Sequence, residues 1–324
     1  MRVLVTGGAG YIGSVVASQL AAAGHETVVL DDLSRGHAGA VPEEATLVRG
    51  DLLDAGLVSE TLAEGFDGVL HFAALSLVGE SVREPELYYR NNVCGTLNLL
   101  EAMRESGTGK LVFSSTAAVY GEPESVPIME SDPALPTNPY GSSKLAVDRL
   151  IGAVAGAHGL AATSLRYFNV AGASGRYGED HHPETHLIPL VLRAAAGGTS
   201  VKVFGTDYPT RDGTAVRDYI HVEDLGRAHL LALEAAEPGE HSVYNLGNGS
   251  GFSVREVVEA ARRVTGRDID AVEAPRREGD PPALVAASDR IRSDLGWEPE
   301  KPGLDAMISD AWAWMQDHPR GYDE

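Results

Sequence analysis

Through its first half the chain alternates short apolar runs with stretches of helical period. Runs at 2–6, 27–30, 46–49, 68–72 and 110–114 place apolar residues on successive positions, 163–166 reads as a further strand, and a helical pattern begins at about position 11. Strands buried on both faces and separated by helices predict an α/β fold with a doubly wound parallel sheet, Rossmann-like in its alternation. Two longer periodic stretches predict helices over about 86–105 and 140–158. Beyond about Val170 the alternation gives way to a Gly, His and Pro-rich segment at 172–183 and then to shorter elements, as expected of a smaller, mixed α/β domain. The run 216–222 reads as a strand returning to the main sheet. Two interleaved domains are therefore expected: 1–173 with about 216–244, and 174–215 with about 245–324.

Composition narrows the function classes. The 324 residues amount to about two typical domains, and with 43% hydrophobic and 23% charged residues a packed core is expected rather than disorder. A formal net charge of -21 with no basic run repels a polyphosphate backbone, so nucleic acid is not an expected partner. Cys94 is the single cysteine, which rules out an intramolecular disulfide and a Cys-cluster zinc site and suits a reducing compartment; it is expected to be a buried helix residue. There is no charged leader segment and no apolar stretch of about 18 residues, so a cytoplasmic protein with no membrane partner is expected.

The first candidate site follows the first predicted strand. Gly7, Gly10 and Gly13 sit between that strand and a helix, where glycines let backbone approach a pyrophosphate at the free N–H groups of a helix start. Asp31 closes the second strand about 20 residues on, as a dinucleotide site requires. Its carboxylate can accept both hydroxyls of an adenosine ribose and would repel a 2'-phosphate, so NAD is expected rather than NADP. Asp32 reinforces this choice and the nearby Arg35 weakens it. Asp51 is placed to meet the adenine edge or to cap its own loop.

The second candidate site is a base with its activator. Tyr140 and Lys144 are four apart at a predicted helix start, so they share a face, and Asn138-Pro139 supplies a suitable helix beginning. An adjacent ammonium and a helix N-terminus both favour the phenolate; lowering a phenol from about 10 to about 7 would ionise about half of it at neutral pH. Thr116, at a strand end read as Ser114-Ser115-Thr116, offers a hydroxyl to the reacting oxygen.

The glycine spacing resembles that of the extended short-chain dehydrogenase/reductase family. The runs Phe113-Ser114-Ser115-Thr116, Val119-Tyr120-Gly121 and Tyr140-Gly141-Ser142-Ser143-Lys144 are similar to its nucleotide-sugar branch. Arg166-Tyr167-Phe168-Asn169, Arg217-Asp218-Tyr219-Ile220-His221, Tyr244-Asn245-Leu246-Gly247 and Pro275-Arg276-Arg277-Glu278-Gly279-Asp280 extend the likeness to the epimerase group. Related 4,6-dehydratases carry an Asp-Glu pair directly after this Thr, whereas this chain has Ala117-Ala118, which removes the proton-transfer groups an elimination needs.

The resemblance implies reversible C4 epimerisation of UDP-galactose and UDP-glucose through a transient 4-keto sugar, with NAD as a bound cofactor. It implies further NAD contacts from Tyr11, Ile12, Leu52, Phe72, Ala73, Asn91 and Tyr167, with Ser76 in place of a Lys found in some relatives. For the UDP-hexose it implies Arg217 and Arg277 on the diphosphate, Asp280 on the uridine-side ribose, and Asn169 on the phosphate or sugar. Phe204 and Tyr219 are implied on the uracil and ribose, or alternatively in packing. His186-Leu187 stands where relatives often have Asn-Leu. Leu284 falls at the wall of the sugar pocket, which is Tyr in relatives confined to plain hexoses and small in those admitting an N-acetyl group. A homodimer built on the 86–105 and 140–158 helices is also implied.

N-acetylated or uronic UDP-sugars as substrates, a UDP-glucuronate decarboxylase and a non-catalytic NAD-binding redox sensor remain as alternatives. His181-His182 beside Glu179 and Asp180 reads as a solvated loop whose side chains diverge, so no metal is assigned. Glu122, Glu124 and Glu130 are expected to be exposed.

Overall fold

A computed structural model describes residues 1–277 and 279–322. Its centre is a seven-stranded parallel sheet in the spatial order His241–Leu246, Ala161–Tyr167, Lys110–Thr116, Gly68–His71, Arg2–Thr6, Glu26–Asp31, Thr46–Arg49. The apolar runs form these strands because each is covered twice. Helices Ala55–Leu62, Gly95–Ser106 and Pro139–His158 bury Leu62, Leu99 and Val147 against one face. Tyr11–Ala22, Val222–Ala235 and Asp289–Leu295 bury Val16, Leu225 and Ile291 against the other.

Strand order reverses between Arg2–Thr6 and Gly68–His71. A doubly wound sheet opens a crevice at such a point, beyond the carboxyl ends of the strands, because the crossovers leave it in opposite directions. The glycine loop and the Phe72-Ala73 segment both emerge there.

A separate hydrophobic cluster unites the helices Leu187–Ala195, Val254–Thr265 and Leu304–Asp317 with the parallel pair Val201–Phe204 and Ala271–Ala274. The expectation that 216–222 rejoins the main sheet is corrected. Val216–Arg217 pairs with Phe252–Ser253 and Ala283–Leu284, and Tyr219–His221 pairs with Asn169–Ala171. The strand that does return is His241–Leu246, in register with Ala161–Tyr167. Both segments carry the β-branched and aromatic residues of a strand, Val216, Tyr219 and Ile220 in one and Val243 and Tyr244 in the other, and only the tertiary partners decide between them.

The 86–105 stretch is interrupted: Pro85–Tyr88 and Gly95–Ser106 are α-helical, and Tyr89–Cys94 between them is a π turn. Cys94 is exposed rather than buried, because the wider turn changes which positions face the sheet. Among the described residues, no helix is long and apolar enough to cross a membrane.

Candidate active site

The glycine loop has the shape its sequence requires. Gly7 takes a left-handed φ of 72° and lies so close to the next loop that a Cβ on it would meet Ala73 N at 2.5 Å. A Cβ on Gly13 would collide with the Gly7 carbonyl, so the Tyr11–Ala22 helix can start against the turn only without one. Asp31 is buried at the end of its strand, where Oδ2 accepts from Ala9 N at 3.0 Å and Oδ1 from Leu33 N at 2.9 Å. Burial pushes this carboxyl up, and those backbone donors oppose the shift.

Arg35 donates to Glu80 at 2.9 Å and to the His182 carbonyl at 3.1 Å, so its charge is already engaged. The cradle, the helix start and the ribose-side carboxylate fit NAD. Ile12, Phe72, Ala73, Asn91 and Tyr167 are half-buried near this crevice, and Leu52 is buried. Tyr11 donates to the Gly172 carbonyl at 2.7 Å, and Tyr167 shares a short hydrogen bond with Ser114. Asp32 and Asp51 are exposed and cap their own turns, accepting from Ser34 N and Leu53 N.

Tyr140 and Lys144 occupy the first turns of the Pro139–His158 helix, capped by Asn138 Oδ1 on Gly141 N at 2.9 Å. Thr116 ends the neighbouring strand, and its Oγ1 accepts from Ala118 N at 3.1 Å. Burial pushes the Tyr140 phenol above its usual value, and a hydrogen bond with Thr116 offsets part of that. Burial also drives the Lys144 ammonium down to about 7, against the pull of Asp148.

The structure thus corrects the expectation of an already lowered phenol. Lys144 Nζ donates to the Ser114 carbonyl at 2.8 Å and lies over the Phe113 ring, and desolvation is the largest influence on the phenol. The support behind this pair was not expected from the sequence. Asp148, one turn beyond Lys144, accepts from Arg166 at 3.0 Å and from Ser115 Oγ at 3.2 Å, and Arg166 also donates to the Tyr120 hydroxyl. The i, i+4, i+8 spacing of Tyr140, Lys144 and Asp148 was the available signal.

On the other side of the crevice Arg217 pairs with Asp280 and also donates to the Val216 carbonyl at 2.7 Å. Arg277 lies over the Phe204 ring at 4.1 Å. Arg276, Arg277 and Asp280 line a cleft of about 340 Å³ with Tyr208 and Glu122. Leu284 stands in register with Arg217 and packs on the cluster of Val119, Tyr120 and Leu145. Asn169 donates to the Asp218 carbonyl at 3.1 Å. Tyr219 is buried beside Phe252 in the second hydrophobic cluster, the packing alternative. Asp218 is fully buried and holds Asn248, Gly249 and Ala286 by their N–H groups, so this member of the Arg217-Asp218-Tyr219 motif braces the backbone. Glu278 of the same motif set lies outside the described residues.

Two polar readings are corrected. Glu130 accepts from Asn245 N at 2.8 Å and is half-buried, although Glu122 and Glu124 are exposed as expected. The 179–182 run does not simply splay into solvent. Glu179 is tucked in and meets His181 at 3.0 Å and His186 at 2.7 Å. His186 stands at the N-terminal boundary of the Leu187–Ala195 helix without a side-chain capping bond, and although burial opposes its charge, Glu179 and Glu184 push its pKa up to about 10. Leu187 packs with that helix in the second cluster.

Residues 3–247 match the NAD dependent epimerase/dehydratase family. The chain is 58% identical to a UDP-glucose 4-epimerase of Streptomyces lividans over 326 aligned positions, covering 100% of this chain and 98% of that one. A structure of UDP-glucose 4-epimerase from Brucella ovis in complex with NAD superimposes with a TM-score of 0.93 at 46% identity, covering 96% and 97% of the two chains. One from Bifidobacterium longum in complex with NAD+ and UDP gives 0.93 at 37% identity, covering 99% and 100%.

Proposed function

This chain belongs to the NAD dependent epimerase/dehydratase family, and from that premise we propose that it inverts C4 of UDP-hexoses, interconverting UDP-galactose and UDP-glucose. The observation that carries this reading is the placement of Thr116, Tyr140 and Lys144 at the carboxyl edge of the sheet, with Ala117-Ala118 where an elimination would need an acid and a base.

Gly7, Gly10, Gly13, Tyr11 and Ile12 hold the NAD pyrophosphate, and Asp31 with Asp32 takes the adenosine ribose. Asp51, Leu52, Phe72, Ala73, Asn91 and Tyr167 complete that pocket. When bound, NAD supplies a reversible two-electron acceptor and a positively charged ring, neither of which a side chain can provide. Tyr140 takes the C4 hydroxyl proton and later returns it, aligned by Thr116. The cationic surroundings created by Lys144 and the cofactor counter the burial that holds the phenol neutral. Lys144 also fixes the nicotinamide ribose.

Arg217 and Arg277 grip the diphosphate, for which guanidinium forks are suited, and the 4-keto sugar turns over while tethered there. Asp280 and Phe204 serve the uridine end, with Asn169, His186 and Leu187 nearer the phosphates and Tyr219 packed behind them. The division 1–173 with 216–244 and 174–215 with 245–324 belongs to the same proposal, as does a homodimer.

Incubating the purified protein with UDP-galactose and resolving the products by chromatography tests the activity. UDP-glucose should accumulate to equilibrium without carbon dioxide release. Tyr140→Phe should lower the rate by about 10²- to 10⁴-fold and leave the bound dinucleotide in place. Failure of the wild type to convert either sugar, or near-normal turnover in that variant, would sink the assignment.

A further inference from the structure

Beyond the proposed sugar-nucleotide chemistry, one side-chain cluster is built like a cation site. Glu179, His181, Glu184 and His186 each present a donor atom, and the four atoms lie within 4.8 Å of one another. His181 Nδ1 and His186 Nδ1 converge on the same oxygen, Glu179 Oε1, at 3.0 and 2.7 Å, and His186 Nδ1 is 3.1 Å from Glu184 Oε1. Donors around a tetrahedral zinc ion with bonds of about 2.0–2.2 Å sit roughly 3.3–3.5 Å apart. The three short separations would open by a few tenths of an ångström, and wider ones, which reach up to 4.8 Å, would close by about 1 Å.

Glu184 supplies an independent observation. Its side chain is fully buried, although the backbone around it is not. Oε1 already accepts from the N–H groups of Thr185 and His186 at 2.6 and 2.7 Å, while Oε2 is buried with no hydrogen-bond partner. An anionic oxygen withdrawn from water and left without a donor is costly. A cation bound by the Glu184 carboxylate would offset that cost.

We propose that Glu179, His181, Glu184 and His186 bind a divalent first-row transition-metal cation, with Zn²⁺ the best match. Two imidazole nitrogens and two carboxylates form a borderline nitrogen and oxygen set, unlike the all-oxygen shells of Ca²⁺ and Mg²⁺. Four protein ligands close the shell, so the ion is structural. The cation replaces protons on the ring nitrogens, so uptake releases protons to solvent.

Its position gives the site a purpose. The intervening residues reach outward to the cofactor side: the Asp180 carbonyl meets His37 Nε2 at 3.0 Å, and the His182 carbonyl accepts from Arg35 at 3.1 Å. His186 then starts the Leu187–Ala195 helix. A cation here clamps one loop between the segment that follows Asp31 and the helix of the second cluster. The inference rests on the geometry of this loop alone, and it shares His186 with the proposed phosphate side of the substrate site.

The test uses the full chain, stripped with a chelator and then titrated with Zn²⁺ or Co²⁺. One Zn²⁺ per chain should survive gel filtration and raise the melting temperature. Co²⁺ should give the intense visible bands of a tetrahedral site, bleached by added Zn²⁺. Glu179→Gln and His181→Asn should each weaken uptake by more than about 10-fold, the lower end of what losing even an outer-shell partner costs, whereas His182→Asn should keep it. Substoichiometric uptake by the wild type, an octahedral Co²⁺ spectrum, or undiminished binding in both cluster variants would overturn the proposal.

Discussion

Lys144 is the residue at which burial and function pull hardest against each other. Its ammonium is withdrawn from water, and burial lowers its pKa to about 7 from 10.5. The unfolded chain therefore binds more protons than the folded one between those values, so the penalty is complete below about pH 7 and relieved as pH rises toward 10.5. Lys144→Met should remove this contribution: the variant's melting temperature should gain most over wild type at pH 6 to 7, with the gap closing by pH 9.5. A gap that does not change with pH would show that Lys144 is not desolvated. Leu284 is a second residue with a readable consequence. In register with Arg217 and only partly buried, it is placed to wall a sugar pocket. A single such wall is worth about 1–3 kcal/mol of discrimination, or roughly 10- to 200-fold. The ratio of kcat/KM for UDP-galactose over its N-acetylated counterpart should rise in Leu284→Tyr and fall in Leu284→Ser. Equal ratios in all three proteins, with stability alone altered, would return Leu284 to the core.

At the scale of an element, the strand, glycine loop and helix from Arg2 to Ala22 act as one object. Gly13→Ala places a Cβ against the Gly7 carbonyl, which is backbone and cannot swing aside. The helix start must move, at a cost of about 1–3 kcal/mol for a forced overpacking, and the purified variant should carry less NAD at unchanged substrate-side binding of UDP. Full NAD content with unaltered stability would mean that the helix does not abut the turn. This unit was legible in the sequence because each of its constraints is local: an apolar run, glycines at fixed spacing, and an acidic residue at the next strand end. Tyr140 and Lys144 were legible for the same reason, one helical turn apart. Elements whose identity depends on distant partners were not. The 216–222 run has the composition of a central strand, yet pairs with short strands elsewhere, and His241–Leu246 takes the sheet edge. Glu179, His181, Glu184 and His186 follow no helical or strand period, so only an irregular loop could bring their donors together. The phenol's pKa was misread because sequence shows the neighbouring charge but not the depth of burial that outweighs it.

For the molecule as a whole, an exposed apolar patch stands out on a chain of formal net charge -21. Val78, Val82, Leu87, Tyr89 and Leu97 are each at least 40% exposed, on helices Val78–Arg83, Pro85–Tyr88 and Gly95–Ser106 and the π turn between the last two. Pro85, Glu86, Tyr89, Arg90 and Cys94 line a shallow cleft of about 660 Å³ on the same elements. Single exposed apolar side chains are ordinary, but several on contiguous helices suit an interface. Burying a Val or Leu completely stabilises by about 1.5–3 kcal/mol, so even partial cover of five such residues favours association. A homodimer of the kind proposed would bury this face and with it Cys94, whose exposure contradicts the expectation of a core residue. Light scattering after size exclusion should give twice the monomer mass, and Val82→Asp, which sets a carboxylate in the middle of the apolar face, should give monomers. Cys94 should then react with a maleimide faster in Val82→Asp than in wild type at the same protein concentration, since the partner no longer shields it. A wild type that elutes as a monomer at micromolar concentration, with Cys94 equally reactive in both proteins, would mean that this face stays open to solvent.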